Sequence, residues 1–300
     1  MTASADSHDA LGGFVRRSEF FVGIDSDGCA FDTMEVKHKE CFIPPFIKHF
    51  RLAAVAKYAR ETCEFVNLYS KDRGANRFVA YLKALDLLAQ RPEVARRGVS
   101  IPRVEGLRAW VARESKLGNP ALKAEAEATG NADLKRTLAW SEEVNRNVAE
   151  IVQEVPPFPL VRESLQRLQG VADVMVVSAT PGEALEREWT EHGLKPLVSL
   201  IAGQELGTKQ EHLKRAAVGK YPADRILMVG DAPGDRRAAE AHGALFYPIL
   251  PGREEESWQR FYDEAIDRFL AGRYAGSYAD RLIAEFESLL PERPSWSAAG

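Results

Sequence analysis

The 300-residue sequence predicts an α/β fold, a doubly wound parallel sheet interrupted early by a large all-helical insertion. Three observations predict it. After residue 156, short apolar runs ending in polar residues alternate with helical segments of about ten residues, the pattern of a parallel sheet. One similar run, Phe20–Ile24, stands far upstream of the others. Between them, residues 33–155 carry helical periodicity without a clear strand.

Composition sets the outer bounds. With 45% hydrophobic and 28% charged residues, the chain is that of a globular protein with ample core for one large domain or two ordinary ones. A formal net charge of -4 supplies no overall attraction to nucleic acid or to an anionic membrane, so neither is expected as a partner. Met1 to Gly13 is polar, without the apolar centre of a signal peptide, and no apolar run approaches the roughly 20 residues that span a bilayer. Cys29, Cys41 and Cys63 form an odd set without CxxC spacing, which points away from a disulfide framework or zinc site and toward a cytoplasmic location. Cys29 lies beside an acidic pair and is read as a small loop residue rather than a nucleophile.

In chain order, residues 1–17 are expected to form a flexible leader, disordered or loosely docked. Phe20–Ile24, aromatic and β-branched, reads as a strand buried on both faces. It ends in Asp25-Ser26-Asp27-Gly28, where Gly28 lets the chain turn sharply. Asp32 and Thr33 suit the start of a helix. Within the insertion, apolar faces recur at Phe78, Leu82, Leu85 and Ala89, at Leu107, Trp110 and Val111, and from Leu134 through Ile151 to Val155. Breaks fall near Arg91-Pro92, Gly98 to Pro102, Gly118-Asn119-Pro120 and Gly130-Asn131. The proline-rich stretch Val155–Pro159 closes the insertion as a stiff connector.

The second half predicts strands at Val171–Val177, at Arg225–Val229 and at Ala244–Tyr247, with a short apolar stretch at Leu197–Ala202 between the first two. Helices are expected around Val161–Leu168, over Glu183–His192, from Lys209 and over Arg236–His242. Two further helical patterns follow, one carrying Trp258, Phe261, Tyr262, Ala265, Ile266 and Phe269, the other Leu282, Ile283, Phe286 and Leu289. Their aromatic stripe reads as core packing, and Pro294–Gly300 as a frayed end. The domains expected are thus residues 18–32 with 156–300 as the sheet core carrying a C-terminal helical extension, and 33–155 as the helical insertion.

The chemistry gathers at the carboxyl ends of the predicted strands. Asp25 and Asp27 follow the first, Ser178 the second, and Gly230-Asp231 with Asp235 a later one; Lys209 opens a helix after Gly207-Thr208. In a doubly wound sheet these ends converge on one crevice. Clustered carboxylates repel each other and call for a hard cation, for which oxygen ligands favour Mg²⁺. A hydroxyl and an ammonium supply donors for phosphoryl oxygens, and a free carboxylate supplies a nucleophile. The set makes sense as phosphoryl-transfer machinery.

These residues resemble the four dispersed motifs of the haloacid dehalogenase superfamily. Ile24-Asp25-Ser26-Asp27-Gly28 with Phe31-Asp32-Thr33 matches the first, Val176-Val177-Ser178 the second, Lys209 the third and Gly230-Asp231-Ala232-Pro233-Gly234-Asp235 the fourth. The helical insertion falls where the family's C1-type cap sits. The resemblance covers residues 18–35 and 156–250 and implies a Rossmann-like core. It implies Asp25 as the nucleophile that becomes an aspartyl-phosphate, and Asp27 as the acid and base. Ser178 and Lys209 would bind the phosphoryl group, and Mg²⁺ would sit among Asp25, the Asp27 carbonyl, Asp231 and Asp235. Cys29 and Ala30 replace the commoner threonine and leucine, and Gln210-Glu211 follow the lysine where the family carries a proline-containing segment. Lys214 is the alternative to Lys209, and Thr180 the alternative to Ser178.

Within that resemblance, an aspartate at position 27 implies C–O–P chemistry, hence a Mg²⁺-dependent phosphatase acting on a small phosphorylated metabolite, with a sugar phosphomutase as the nearest alternative. From another class comes a phospho-acceptor signalling or binding protein without turnover. Gly28, Thr180 and the cationic stretch containing Lys71, Arg73 and Arg77 are candidate substrate contacts, and Lys37, His38 and Lys39 weaker ones.

Overall fold

The structure is a computed structural model describing residues 11–297. Among them, five strands form one all-parallel sheet: β1 (Phe20–Ile24), β2 (Ala172–Val177), β3 (Leu200–Ala202), β4 (Ile226–Gly230) and β5 (Leu245–Pro248). Their order is β3-β2-β1-β4-β5. The first strand therefore lies at the centre, with Ile24 opposite Val176 of β2 and Val229 of β4. The chain runs from β1 through β2 to β3 on one side, then crosses back to β4 and β5 on the other, which makes the carboxyl end of β1 the switch point where such sheets bind ligands.

The expected strands occur within a residue or so, and β3 lies in the short apolar stretch. Only the last three residues of Leu197–Ala202 pair, because Lys195–Leu197 turns as a 3₁₀ helix around Pro196. The near-continuous apolar strands are explained by cover on both faces. Val22, Ile24, Val174, Val176, Leu227 and Val229 enter one core; Phe21, Met175, Val177 and Met228 enter the other.

The described residues divide into two compact units, one comprising residues up to Thr33 with Glu154–Leu290, the other Met34–Gln153 with the tail from Pro291. In the sheet unit, Trp258, Phe261, Ile266 and Phe269 are fully buried against one face, on consecutive helical turns with a π-helical step at Phe261–Ala265. Phe286, on the helix Ser277–Leu289, packs edge-on to Phe246 of β5. The helical extension is thus part of the core.

Of the two forms expected for the leader, residues 11–17 take the docked one. Leu11 and Phe14 are buried, Phe14 meets Phe21 edge-on at 5.8 Å, and the Arg17 and Ser18 N–H groups donate to the Asp173 carboxylate at 2.8 Å. Two buried apolar side chains and these hydrogen bonds dock an otherwise polar stretch. Residues 1–10 lie outside the described residues.

The second unit is helical. Its longer helices are Ala56–Leu68, Arg77–Ala89, Glu105–Arg113, Asn119–Thr129 and Ala132–Ile151. Local chemistry sets the ends: Asn76 and Asn131 accept N–H groups of the first turns that follow them, and Gly130 ends a helix with φ of 66°. Phe46, Phe50, Phe78, Tyr81, Trp110 and Trp140 form its aromatic centre. The last helix stops at Ile151, short of Val155.

The described part of the tail departs from the frayed end expected. The Lys71 N–H donates to the Pro291 carbonyl, and Trp296 covers the buried Arg91 guanidinium, 4.2 Å from its ring centroid, while meeting Phe65 edge-on. Residues 298–300 lie outside the described residues. Among the described residues, no helix is long and apolar enough to cross a membrane.

Candidate functional site

The site begins where β1 ends. The Asp25 N–H still donates to the Val229 carbonyl at 3.0 Å, so β4 holds the backbone of this residue while its side chain points beyond the sheet. The chain then folds on itself. The Ser26 carbonyl accepts the N–H groups of Cys29, Ala30 and Phe31, and Gly28, at φ of 71°, donates to the Phe31 carbonyl at 2.8 Å. Gly28, a candidate substrate contact, thus has a turn-forming role that its positive φ requires. Cys29 is fully buried in this turn. Its carbonyl accepts the Trp258 indole N–H at 2.7 Å, and burial, followed by the charges of Asp231, Asp25 and Asp235, pushes its thiol well up. That environment suits an inert structural thiol.

At the exit of β4, Gly230 leads into Asp231 and the helix Pro233–Glu240. A Cβ at Gly230 would collide with the Asp235 side chain, so the glycine makes room for that carboxylate. Asp235 Oδ2 accepts the Ala232 N–H at 3.0 Å and ties the helix start together, leaving Oδ1 for other work.

Lys209 arrives from the helix Lys209–Ala216. Thr208 caps it by accepting the Glu211 N–H, and Glu211 reaches back to the Thr208 N–H at 2.7 Å. This capping box was legible in Thr208-Lys209-Gln210-Glu211 and fixes which lysine begins the helix. Gly23 allows the helix to approach β1: a Cβ there would lie 3.3 Å from Leu213 and 3.1 Å from Met228 and Val177. The Lys209 ammonium donates to Asp25 Oδ2 at 2.5 Å and Asp235 Oδ1 at 2.6 Å. Lys214 lies exposed on the same helix.

Asp25, Asp231 and Asp235 are all buried and each offers an oxygen within 4.8 Å of the others. Burial, opposed by Lys209 and reinforced by Asp25 and Asp231, raises the Asp235 pKa to about 7. Burial alone would lower the Lys209 pKa, but Asp235 and Asp25 outweigh it and hold the ammonium firmly charged. Three crowded carboxylates with one ammonium retain excess negative charge. Hard oxygen donors of this kind fit a divalent cation such as Mg²⁺.

Asp27 stands apart from that triad. Thr33 Oγ1 donates to its Oδ1 at 2.6 Å and Thr180 Oγ1 to its Oδ2 at 2.7 Å, so two hydroxyls clamp the carboxylate. The sequence suggests Thr33 as a helix start and Thr180 as an alternative to Ser178 or a substrate contact; clamping Asp27 is a role that spacing along the chain does not reveal. Ser178, buried at the end of β2, donates its N–H to the Ala202 carbonyl and accepts the Thr180 N–H on its hydroxyl at 3.2 Å. Strand ends on β1, β2 and β4 thus supply Asp25, Ser178 and Asp231.

The cationic candidates of the helical unit have protein partners. Lys71 pairs with Glu292 at 2.9 Å, and buried Arg73 donates to the Leu68 carbonyl at 3.0 Å. Arg77 donates to Asn145 at 2.7 Å and Ser141 at 3.0 Å and lies over the Phe42 ring, where burial lowers its pKa to about 10. Lys39 pairs with Glu35, which also accepts the Tyr69 hydroxyl. Arg73 and Arg77 therefore have structural roles inside this unit that the sequence reading missed.

No protein-family model matches the chain, and no curated protein matches it significantly. Solved structures that it resembles include a predicted phosphoglycolate phosphatase from Haemophilus somnus, with 16% identity, TM-score 0.44 and coverage of 77% of this chain and 85% of that one. A haloacid dehalogenase-like hydrolase from Streptococcus pneumoniae gives 11% identity and TM-score 0.42, over 80% of this chain and 90% of that one. A haloacid-dehalogenase-superfamily hydrolase of subfamily IA from Geobacter sulfurreducens gives 18% and 0.36, over 77% and 87%. These are likenesses, and no activity is assigned from them.

Proposed function

We propose that the chain is a phosphatase of the haloacid dehalogenase type, hydrolysing a small-molecule phosphate monoester in the cytoplasm with Mg²⁺ as cofactor. The observation carrying this reading is the buried carboxylate triad of Asp25, Asp231 and Asp235, with the Lys209 ammonium bridging two of its members. Asp25, Asp231, Asp235 and the Asp27 backbone carbonyl would hold the Mg²⁺. The cation, when bound, neutralises phosphoryl oxygens so that an anionic nucleophile can approach.

The residues divide the remaining work. An Asp25 oxygen attacks phosphorus as the bond to the leaving alcohol breaks, forming an aspartyl-phosphate. Asp27 gives its proton to the alcohol oxygen, then takes one from the water that attacks the acyl-phosphate phosphorus. The products are the alcohol, inorganic phosphate and regenerated Asp25. Ser178 and Lys209 hold the transferring group, and Lys209 also orients Asp25. The Thr33 and Thr180 hydroxyls support this cycle by fixing the direction of the Asp27 carboxylate.

An aryl phosphate assay with and without Mg²⁺, on wild type and Asp25→Asn, tests the proposal. The expected result is metal-dependent multiple turnover that the substitution abolishes. A single stable phosphorylation would point to a phospho-acceptor protein. Sugar phosphate interconversion without hydrolysis of any ester in a broad panel would replace phosphatase by phosphomutase.

A further inference from the structure

Ser26 lies between the two aspartates and has a hydrogen-bond pattern of its own. Its side chain is fully buried, yet its hydroxyl accepts the Trp189 indole N–H at 3.0 Å and donates to the Glu188 carboxylate at 3.0 Å. Its backbone N–H donates to Asp25 Oδ1 at 2.8 Å, and its carbonyl accepts three N–H groups of the following turn. Both backbone polar groups and the side chain of this residue are therefore committed. Trp189 is fully buried as well, edge-on to Phe31 at 5.6 Å.

Packing alone would be met by a small apolar residue at position 26, because a buried hydroxyl brings a desolvation cost that only good partners offset. The partners here come from the helix Gly182–Glu191, which starts two residues after Thr180. Thr180 clamps Asp27, and Trp189 with Glu188 clamp Ser26. One stretch of chain thus references both aspartates of the β1 turn.

We infer that Ser26 is a positioning residue for Asp25, locked by Trp189 and Glu188 so that its N–H fixes one carboxylate oxygen while Lys209 fixes the other. The inference rests on the phosphatase reading of the site. The carboxylate plane of Asp25 is then held at both oxygens, Oδ1 by the Ser26 N–H and Oδ2 by the Lys209 ammonium. Releasing the hydroxyl removes the side-chain anchor of residue 26 and loosens, without freeing, the peptide plane between residues 25 and 26, which disturbs the angle of attack and leaves the phosphoryl-binding groups in place.

Ser26→Ala removes both side-chain bonds, and Trp189→Phe removes the indole donor while keeping an aromatic ring. Each is expected to lower kcat about tenfold with KM unchanged within about twofold. The double variant should be no slower than Ser26→Ala, since both changes act through one hydroxyl. Glu188→Gln, which keeps an acceptor, should retain kcat within about twofold of wild type.

A second readout needs no turnover. In the amide NMR spectrum of the full chain, the Ser26 N–H resonance should move upfield in Trp189→Phe, as its bond to Asp25 loosens, while thermal unfolding shows the protein folded. Wild-type kcat in Ser26→Ala, losses in KM alone, additive losses in the double variant, or an unmoved Ser26 resonance would each overturn the inference. A moved resonance in a protein whose wild type turns over no phosphate ester would instead sink the phosphatase reading and leave the Ser26–Trp189 lock standing.

Discussion

Replacing Lys209 by methionine tests the electrostatics of the site most directly. The substitution keeps much of the side-chain volume and deletes the ammonium that lies 2.5 Å from Asp25 and 2.6 Å from Asp235. What remains is a buried triad of carboxylates with oxygens within 4.8 Å of one another. At an effective dielectric constant of about 20, two unit charges at that separation repel by roughly 3.5 kcal/mol. Three such pairs cannot all stay ionised at that cost. Asp235, its pKa already raised to about 7, is the group that takes up a proton and limits the penalty. The net loss expected is about 3–5 kcal/mol, the usual consequence of removing one partner from a buried ion pair. Urea unfolding at mildly alkaline pH in EDTA should show this deficit, and excess Mg²⁺ should shrink it to about 1 kcal/mol by restoring positive charge among the carboxylates. Turnover should fall at least about a hundredfold, because Mg²⁺ does not restore the ammonium proposed to hold the phosphoryl group. Equal stability of variant and wild type in EDTA, or a deficit that Mg²⁺ leaves untouched, would refute the reasoning.

His212 and Trp296 supply two further tests. Burial, aided by the charge of Lys209, lowers the His212 pKa from 6.5 to about 4. Between those values the unfolded chain binds a proton that the folded one refuses, so stability falls as pH drops from about 6.5 toward 4, by up to about 3 kcal/mol from this group. His212→Gln should flatten that part of the urea-midpoint profile, and an unchanged slope would assign the acid sensitivity elsewhere. Trp296→Ala uncovers the Arg91 guanidinium and the edge of Phe65, and should cost about 1–3 kcal/mol in urea unfolding. A stability equal to wild type would mean that the tail does not dock in solution.

The sheet was readable because its signal is local. A buried parallel strand needs apolar residues toward both cores, and Phe20–Ile24, Ala172–Val177 and Ile226–Gly230 are close to continuous apolar runs. Leu200–Ala202 was blurred because the apolar stretch continues into a 3₁₀ turn that the alphabet of hydrophobicity does not separate from a strand. Asp25, Asp231 and Asp235 were legible for a related reason: each follows a strand end or opens the next helix at a fixed offset. Lys209 was harder. The Thr208–Glu211 capping box that marks its helix start was a local signal the sequence reading did not use, and Gly23 on a distant strand sets how near its helix comes.

The cationic stretch from Lys71 to Arg77 shows the opposite outcome. Charge invited an anion-binding role, but Arg77 spends its donors on Ser141 and Asn145, and Trp296 from the tail covers Arg91 on a neighbouring segment. Such partners lie 64, 68 and 205 positions apart, far beyond any periodicity window. The same distance hid the docking of Leu11 and Phe14, whose cores are assembled by residues from the second half of the chain.

Hydrophobic period, turn residues and polar strand ends are properties of neighbouring residues, and for this chain they were enough to predict a parallel α/β core, a helical insertion and acidic residues at strand ends that the fold brings together. Partnership is a property of folded space. That Lys209 bridges Asp25 and Asp235, that Thr33 and Thr180 clamp Asp27, and that Trp189 and Glu188 hold Ser26 all depend on the packing of helices onto the sheet. Side-chain hydrogen bonds reach only about 3 Å, and no spacing along the chain encodes a distance that short across 150 residues.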